Sequence, residues 1–234
     1  MRILAIDTAT ESCSAALWVD SAVSAREKRL ERGHASQILF MVNELLQEAA
    51  VTLRALSAIA FGRGPGAFTG VRLAASVAQG LAFGSGLPVV PVSDLRALAQ
   101  RALDLRPEFA RVLVCMDARM REVYWGCFIR SPQNQAEPLG VERVGPARVV
   151  HLPQAWTASR TPVCGAGVGF AAYPELRGLL APGPAVVLED LLPRAQEVAR
   201  LAVAEVEDGR ALPPEQGLPV YLRDDVTHKR PSGH

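Results

Sequence analysis

The chain lacks any uninterrupted apolar run near the roughly 18 residues that cross a bilayer, which excludes a membrane-spanning helix. A secretory pattern is missing too. Asp7 breaks the apolar opening Met1–Ile6 and no long apolar region follows, so a cytoplasmic location is expected. Net charge is scarce, +1 from 25 cationic and 24 acidic residues, so no strong overall field draws the chain to nucleic acid or membrane. Any RNA role therefore needs a local patch or a more basic partner. The four cysteines (Cys13, Cys115, Cys127 and Cys164) form no Cys-x-x-Cys pair, which argues against a zinc knuckle or redox dithiol. Buried free thiols are expected instead. No Gly-x-Ser-x-Gly elbow supplies a nucleophile, and no Gly-Lys-Ser/Thr completes a Walker loop. His34 stands at a predicted helix start, but Ile38 occupies the place where a helical metal pair needs its second ligand. His34 is read as a capping or packing residue, and His228 and His234 as exposed tail residues. No metal site and no catalytic residue are assigned.

What is present reads as a folded α/β protein. Hydrophobic residues make up 49% and charged residues 21% of 234 residues, enough for one large domain or two lobes. Residues 2–7 and 13–19 predict two strands joined by a tight turn, and residues 21–30 a more polar third strand. Residues 33–50 predict a helix, with Ile38, Met41, Val42, Leu45 and Ala49 at helical spacing. Leu39, Phe40 and Leu46 widen its apolar face. A strand over 56–61 enters the loop 62–70, followed by a helix over about 69–83. That helix is rich in small residues: Gly70, Ala74, Ala75, Ser76, Ala78, Gly80 and Ala82. Glycine inside a helix costs about 1 kcal/mol against alanine, so close approach of another backbone, or close packing within the chain's own lobe, is implied. A strand over 89–92 and a helix over 94–103 precede a break near Pro107.

Residues 111–117 then echo residues 2–7. Each is an arginine-led aliphatic strand ending on aspartate, followed by a turn and an aromatic-bearing strand. The echo points to two lobes that each begin with a hairpin. This is the layout of actin-like and sugar-kinase-like ATPases (the ASKHA fold), with ribonuclease-H-like lobes. The lobes are placed at 1–105 and 106–218, with a tail over 219–234 packing back on the first. Within the second half, residues 131–138 read as a polar turn, 152–158 as a short helix, 163–169 as a strand entering a glycine-rich turn, and 192–206 as a helix.

Two segments carry possible phosphate chemistry. In such ATPases a hairpin like Asp7-Thr8-Ala9-Thr10 wraps phosphates, with the aspartate placing metal and water. The second segment is the loop with Gly62, Gly64, Gly66, Thr69 and Gly70. It formally fits a dinucleotide fingerprint, but Pro65 removes an amide and no acid follows at ribose distance. A generic anion site at a helix start and a purely structural turn both remain open. Asp7 and Asp117 are expected to face one another across a cleft.

Four spaced motifs then carry a resemblance. The opening Met-Arg-Ile-Leu-Ala-Ile-Asp-Thr-Ala-Thr-Glu-Ser-Cys-Ser-Ala-Ala-Leu-Trp, the loop Gly62–Arg72, the stretch Asp117–Trp125 and Pro219–Arg223 resemble the TsaB (YeaZ) family over residues 1 to about 230. The resemblance implies a non-catalytic subunit that binds and activates TsaD, with the ATPase TsaE, in making N6-threonylcarbamoyladenosine next to the tRNA anticodon. It implies homodimers when the chain is alone, and contact with tRNA only through the complex. No cofactor is expected on the isolated chain, ATP and metal belonging to the partners. The pairing surface maps to the first two helices, at Ile38, Met41, Val42, Leu45, Val71, Ala74, Ala75, Ala78, Leu81 and Ala82. TsaD-like proteins carry His-x-x-x-His, which His34 and Ile38 do not complete, so their chemistry is not carried over. Phe40 stands where many relatives have proline. The alternative reading is a stand-alone ATPase or phosphotransferase.

Overall fold

A computed structural model describes residues 1–159, 161–180 and 186–223. Its elements are β1 (Arg2–Asp7), β2 (Ser12–Val19), β3 (Ala22–Arg29), α1 (His34–Glu48), β4 (Ala58–Gly62), α2 (Phe68–Ser85), β5 (Val89–Val92) and α3 (Asp94–Leu105). There follow β6 (Arg111–Asp117), β7 (Glu122–Arg130), β8 (Ala136–Pro138), β9 (Arg143–Pro146), α4 (Gln154–Ala158), β10 (Cys164–Ala166), α5 (Gly169–Ala172), β11 (Val186–Leu188) and α6 (Ala195–Glu207).

The first sheet has the order β3-β2-β1-β4-β5, with the first three strands antiparallel and β4 and β5 parallel to β1. The second has the order β11-β10-β6-β7-β8, with β9 also pairing β7. Read from β8, this is the same arrangement again. β6 and β7 stand for β1 and β2, β8 for β3, and the parallel pair β10 and β11 for β4 and β5. The echo of residues 2–7 in residues 111–117 is thus a duplicated lobe.

Strand periodicity decides which helix covers which face. On β1, Leu4 and Ile6 point to one side, where they pack with Ile38 and Leu45 of α1 and Ala74 and Ala78 of α2. Ile3 and Ala5 point to the other, where they meet Ala195, Val198, Ala199 and Ala202 of α6. The second sheet is covered by α3 on one face, through Leu95, Leu98 and Ala102. Trp156, Phe170 and Leu176 cover its other face. The helices α3 and α6 lie together in the middle layer. Arg96 Nη1 bonds Glu205 Oε1 at 2.7 Å, and Arg200 Nη1 bonds Asp104 Oδ2 at 2.7 Å.

This corrects the expected lobe boundary. Residues 195–218 do not sit on the second lobe. The apolar stripe of α6 covers the face of the first sheet that α1 and α2 leave bare, Leu212 pairs with Val89, and Gln79 bonds the Pro214 carbonyl. The tail begins on the first lobe, where the Val220 amide donates to the Arg63 carbonyl at 2.7 Å. It ends on the second, where Arg223 meets Glu122 and the Ala118 carbonyl. The segment read as a polar turn over 131–138 contributes β8, and β9, β11 and α5 were not foreseen. All four cysteines are buried free thiols, and burial pushes Cys127 up to about 12. His228 and His234 lie outside the described residues. Among the described residues no helix is long and apolar enough to cross a membrane.

Candidate functional site

The leading hairpin is filled by its own chain. The Ala9 amide donates to Asp7 Oδ1 at 2.8 Å. The Ser12 amide donates to Thr10 Oγ1 at 3.2 Å, and the Thr8 hydroxyl to the Gly70 carbonyl at 2.7 Å. The Ala67 amide donates to the Ala9 carbonyl at 2.7 Å. The glycine loop lies directly against this turn. A Cβ at Gly66 would stand 2.5 Å from the Ala9 carbonyl oxygen, and one at Gly70 would overlap the Thr8 carbonyl. Of the residues assigned to phosphate, the structure brings Asp7 against Gly62, Thr8 against Gly70, and Gly66 against Ala9, while Thr10 is bonded within the hairpin. Thr69 is exposed at the start of α2. The Ala9, Ser12 and Ala67 amides and the Thr8 hydroxyl are thus engaged within the chain.

Asp7 meets a carboxylate that the sequence did not single out. Asp94, at the start of α3, accepts the Gly64 amide at 2.5 Å through Oδ2. A Cβ at Gly62 would come within 2.6 Å of Asp94 Oδ1 and 3.1 Å of Asp7 Cγ, so the bare glycine makes room for both acids. Asp7 Oδ2 and Asp94 Oδ1 are buried with no hydrogen-bond partner among the described residues. Burial pushes Asp7 up to about 6, against the pull of the Ala9 amide. Burial and the charge of Asp7 hold Asp94 well above the ordinary carboxylate range. Burial and mutual repulsion therefore favour a protonated carboxyl in this pair. Glu142, bonded by Ser93 and 4.0 Å from Arg63, sits beside it with its acidity weakened by burial. No bond joins Asp7 to Asp117 among the described residues. Asp117 is half-buried and is satisfied by its own turn, taking the Arg119 amide at 2.9 Å and the Tyr173 hydroxyl at 3.3 Å. An acid at a helix start reads as a first-turn dipole residue, and nothing in its distance from Asp7 marks Asp94 as a neighbour.

The ten side chains assigned to partner binding face the wrong way. Ile38, Met41, Val42, Leu45, Val71, Ala74, Ala75, Ala78 and Ala82 are buried, and Leu81 packs against the same core. They form the stripe that seats α1 and α2 on their own sheet, because helical periodicity marks the face toward the nearest apolar surface. His34 is half-buried and its Nε2 lies 2.9 Å from the Thr10 carbonyl, tying α1 to the hairpin. The outward face carries different residues. Leu39 is 51% and Phe40 59% exposed on α1, and Phe83 is 83% exposed on α2. Ser76, Gly80 and Gly84 recur every fourth residue on the outside of α2, and a Cβ at either glycine would meet nothing within 4 Å.

The turn from β6 to β7 is strained. Arg119, Met120 and Arg121 have φ of 60°, 53° and 61°, three consecutive non-glycine residues in the left-handed region. Each such residue costs roughly 1–2 kcal/mol. The turn is closed by the Ala118 amide on the Glu122 carbonyl at 2.9 Å and the Glu122 amide on the Arg119 carbonyl at 3.0 Å.

Two duplicated lobes, each led by a strand–turn–strand hairpin, define an actin-like, sugar-kinase-like α/β protein, here with its leading hairpin plugged by its own glycine loop. The family described as TsaD: tRNA N6-adenosine threonylcarbamoyltransferase matches residues 28–174. The tRNA threonylcarbamoyladenosine biosynthesis protein TsaB of Escherichia coli (strain K12) is 39% identical over 241 residues, covering 100% of this chain and 99% of that protein. Its counterpart in Haemophilus influenzae is 35% identical, covering 100% of this chain and 98% of that protein. The solved structure of YeaZ from Pseudomonas aeruginosa is 43% identical with a TM-score of 0.85, covering 94% of this chain and 99% of that one. The chain belongs to the TsaB (YeaZ) family.

Proposed function

We propose that this chain serves the synthesis of threonylcarbamoyladenosine in tRNA as a subunit that binds and activates a TsaD-type transferase, with TsaE joining the assembly. The observation that carries this reading is the outward face of α2. Gly80 and Gly84 expose helix backbone with no side chain above it, next to exposed Phe83, and α1 exposes the apolar Leu39 and Phe40. Mid-helix glycine is costly to the isolated chain, and a second helix packed closely on it regains the loss. The curated relatives carry the name of this pathway along their whole length. The plugged hairpin favours the subunit reading over a stand-alone ATPase, and ATP with Mg²⁺ is expected to leave the melting temperature of the isolated chain unchanged. When no partner is present, the same face serves two copies of the chain.

The test is reconstituted tRNA modification with purified TsaC, TsaD and TsaE, with and without this chain. Omission is expected to lower product at least tenfold. Gly80→Arg is expected to do the same while keeping its fold, and to abolish co-elution with TsaD. Full modification without the chain sinks the reading. Normal co-elution of the variant sinks the assigned face.

A further inference from the structure

We propose that the β6–β7 turn, with the tail segment that crosses it, is a docking surface for the sugar–phosphate backbone of RNA. It rests on the subunit reading above for its setting and on the following geometry for its chemistry.

The strained turn holds Arg119 and Arg121 outward on either side of Met120, all three exposed. Glu122 pairs with Pro146 where β7 meets β9. Arg121, one residue before that pair, and exposed Arg148, two residues after it, leave the ladder at the same end. Neither has a carboxylate partner among the described residues. The tail adds Arg223, whose Nη1 lies 3.5 Å from the sulfur of Met120. It also adds Tyr221, whose hydroxyl takes the Nε–H of Arg72 at 2.7 Å. The Arg72 guanidinium sits 3.5 Å over the ring of Phe68, and the Phe68 and Tyr221 rings stand 5.6 Å apart, both partly exposed. Against these arginines stand Asp117, 3.3 Å from Arg119, and Glu122, paired to Arg223.

The surface is therefore locally cationic in a chain whose net charge is +1. It is built of arginine, whose planar fork matches phosphate oxygens. Exposed rings and a methionine lie among the guanidiniums, as unstacked bases require. An acidic protein would match the charge too, and the test below separates it from RNA. Position agrees. The outward stripe of α2 runs from Phe68 and Arg72 at this surface to Ser76, Gly80 and Gly84 at the proposed partner face. RNA held here passes directly to a transferase docked there.

The experiment uses the full chain and a fluorescein-labelled RNA stem–loop with an unpaired loop, read by fluorescence anisotropy over a range of salt. Binding that weakens with salt is expected. The double variant Arg119→Glu, Arg121→Glu should weaken it about tenfold and lower the slope of log K against log salt by about 1.4, two contacts at ~0.7 each for single strands. Arg148→Glu provides an independent variant off the strained turn, expected to weaken binding in the same direction, with circular dichroism confirming that both fold. No measurable RNA binding overturns the proposal, as does wild-type affinity in both variants. Unchanged RNA affinity with lost TsaD co-elution assigns the turn to a protein and also overturns it. The two readings fail separately. Modification that does not need the chain, with RNA affinity still lost in the variants, removes the subunit reading alone. Modification that needs the chain, with RNA affinity intact in the variants, removes the docking surface alone.

Discussion

Asp7 and Asp94 are both fully buried, and their burial gives the fold a definite response to pH. Both carboxyls titrate above their ordinary range when folded, so the folded chain keeps protons that the unfolded chain releases. Their contribution is most favourable below the unfolded value near 4. It declines as pH rises through about 6, where Asp7 titrates, and Asp94, also raised by burial, adds to the decline. Asp94→Asn mimics the protonated acid. Its amide can donate to Asp7 while its oxygen keeps the Gly64 amide. The variant is expected to melt roughly 2–4 °C above the parent at pH 8, about 1 kcal/mol for a chain of this size. The gain should shrink toward pH 5 in scanning calorimetry. A variant that melts lower than the parent at every pH removes the protonated carboxyl. Asp7 was legible as a strand-end acid of a hairpin. Its partner was not, because a contact between a strand end and a helix start 87 positions apart, from 7 to 94, has no sequence period.

Among the elements, α2 shows how much a pattern can say. Its existence, approximate ends and small-residue content were readable, as were α1, α3 and the leading strands, because each repeats its apolar residues at a fixed period over several turns or pleats. The outward role of its residues was not. Periodicity reports the stripe that meets the chain's own sheet, so Ala78 and Leu45 point inward, and polar substitutions there test folding rather than pairing. The glycines sort by what they face. Gly70→Ala would drive a Cβ into the Thr8 carbonyl and is expected to lower stability by about 1–3 kcal/mol in urea unfolding. Gly80→Ala, with open space above it, is expected to raise stability by about 0.5–1 kcal/mol. In the same variant, affinity for TsaD should fall. Gain of stability with undiminished binding would show that no helix packs closely there. The strands β8, β9 and β11 are only three or four residues long, too short to carry an alternation that stands out from a loop.

At the scale of the whole molecule, the duplicated hairpin was visible in the arginine-to-aspartate echo, whereas the place of α6 was not. An amphipathic helix records that it has an apolar face, not which sheet receives it. The two lobes are joined where α6 on the first meets α3 on the second. Arg96, which also bonds the Ala136 carbonyl at 2.8 Å, is one of the polar ties there. Arg96→Met removes both bonds and strands the Ala136 carbonyl, while Glu205 keeps Arg210. A loss of about 2–3 kcal/mol is expected in chemical unfolding, and a change within experimental error would show that Arg96 adds nothing to the joining of the lobes.

The placement of α6 also sets an order in time. The ribosome completes all five strands of the first sheet early, yet Ile3, Ala5, Ala16 and Val90 have no cover until residues 195–207 emerge. At about 5–20 residues per second, the intervening stretch takes roughly 5–20 s to synthesise. The first lobe is therefore begun first and finished last, and the nascent chain carries an uncovered apolar sheet face through the making of its second half. A chaperone that shields such a face, or a slow codon placed after the last helix, would act on this chain at that interval.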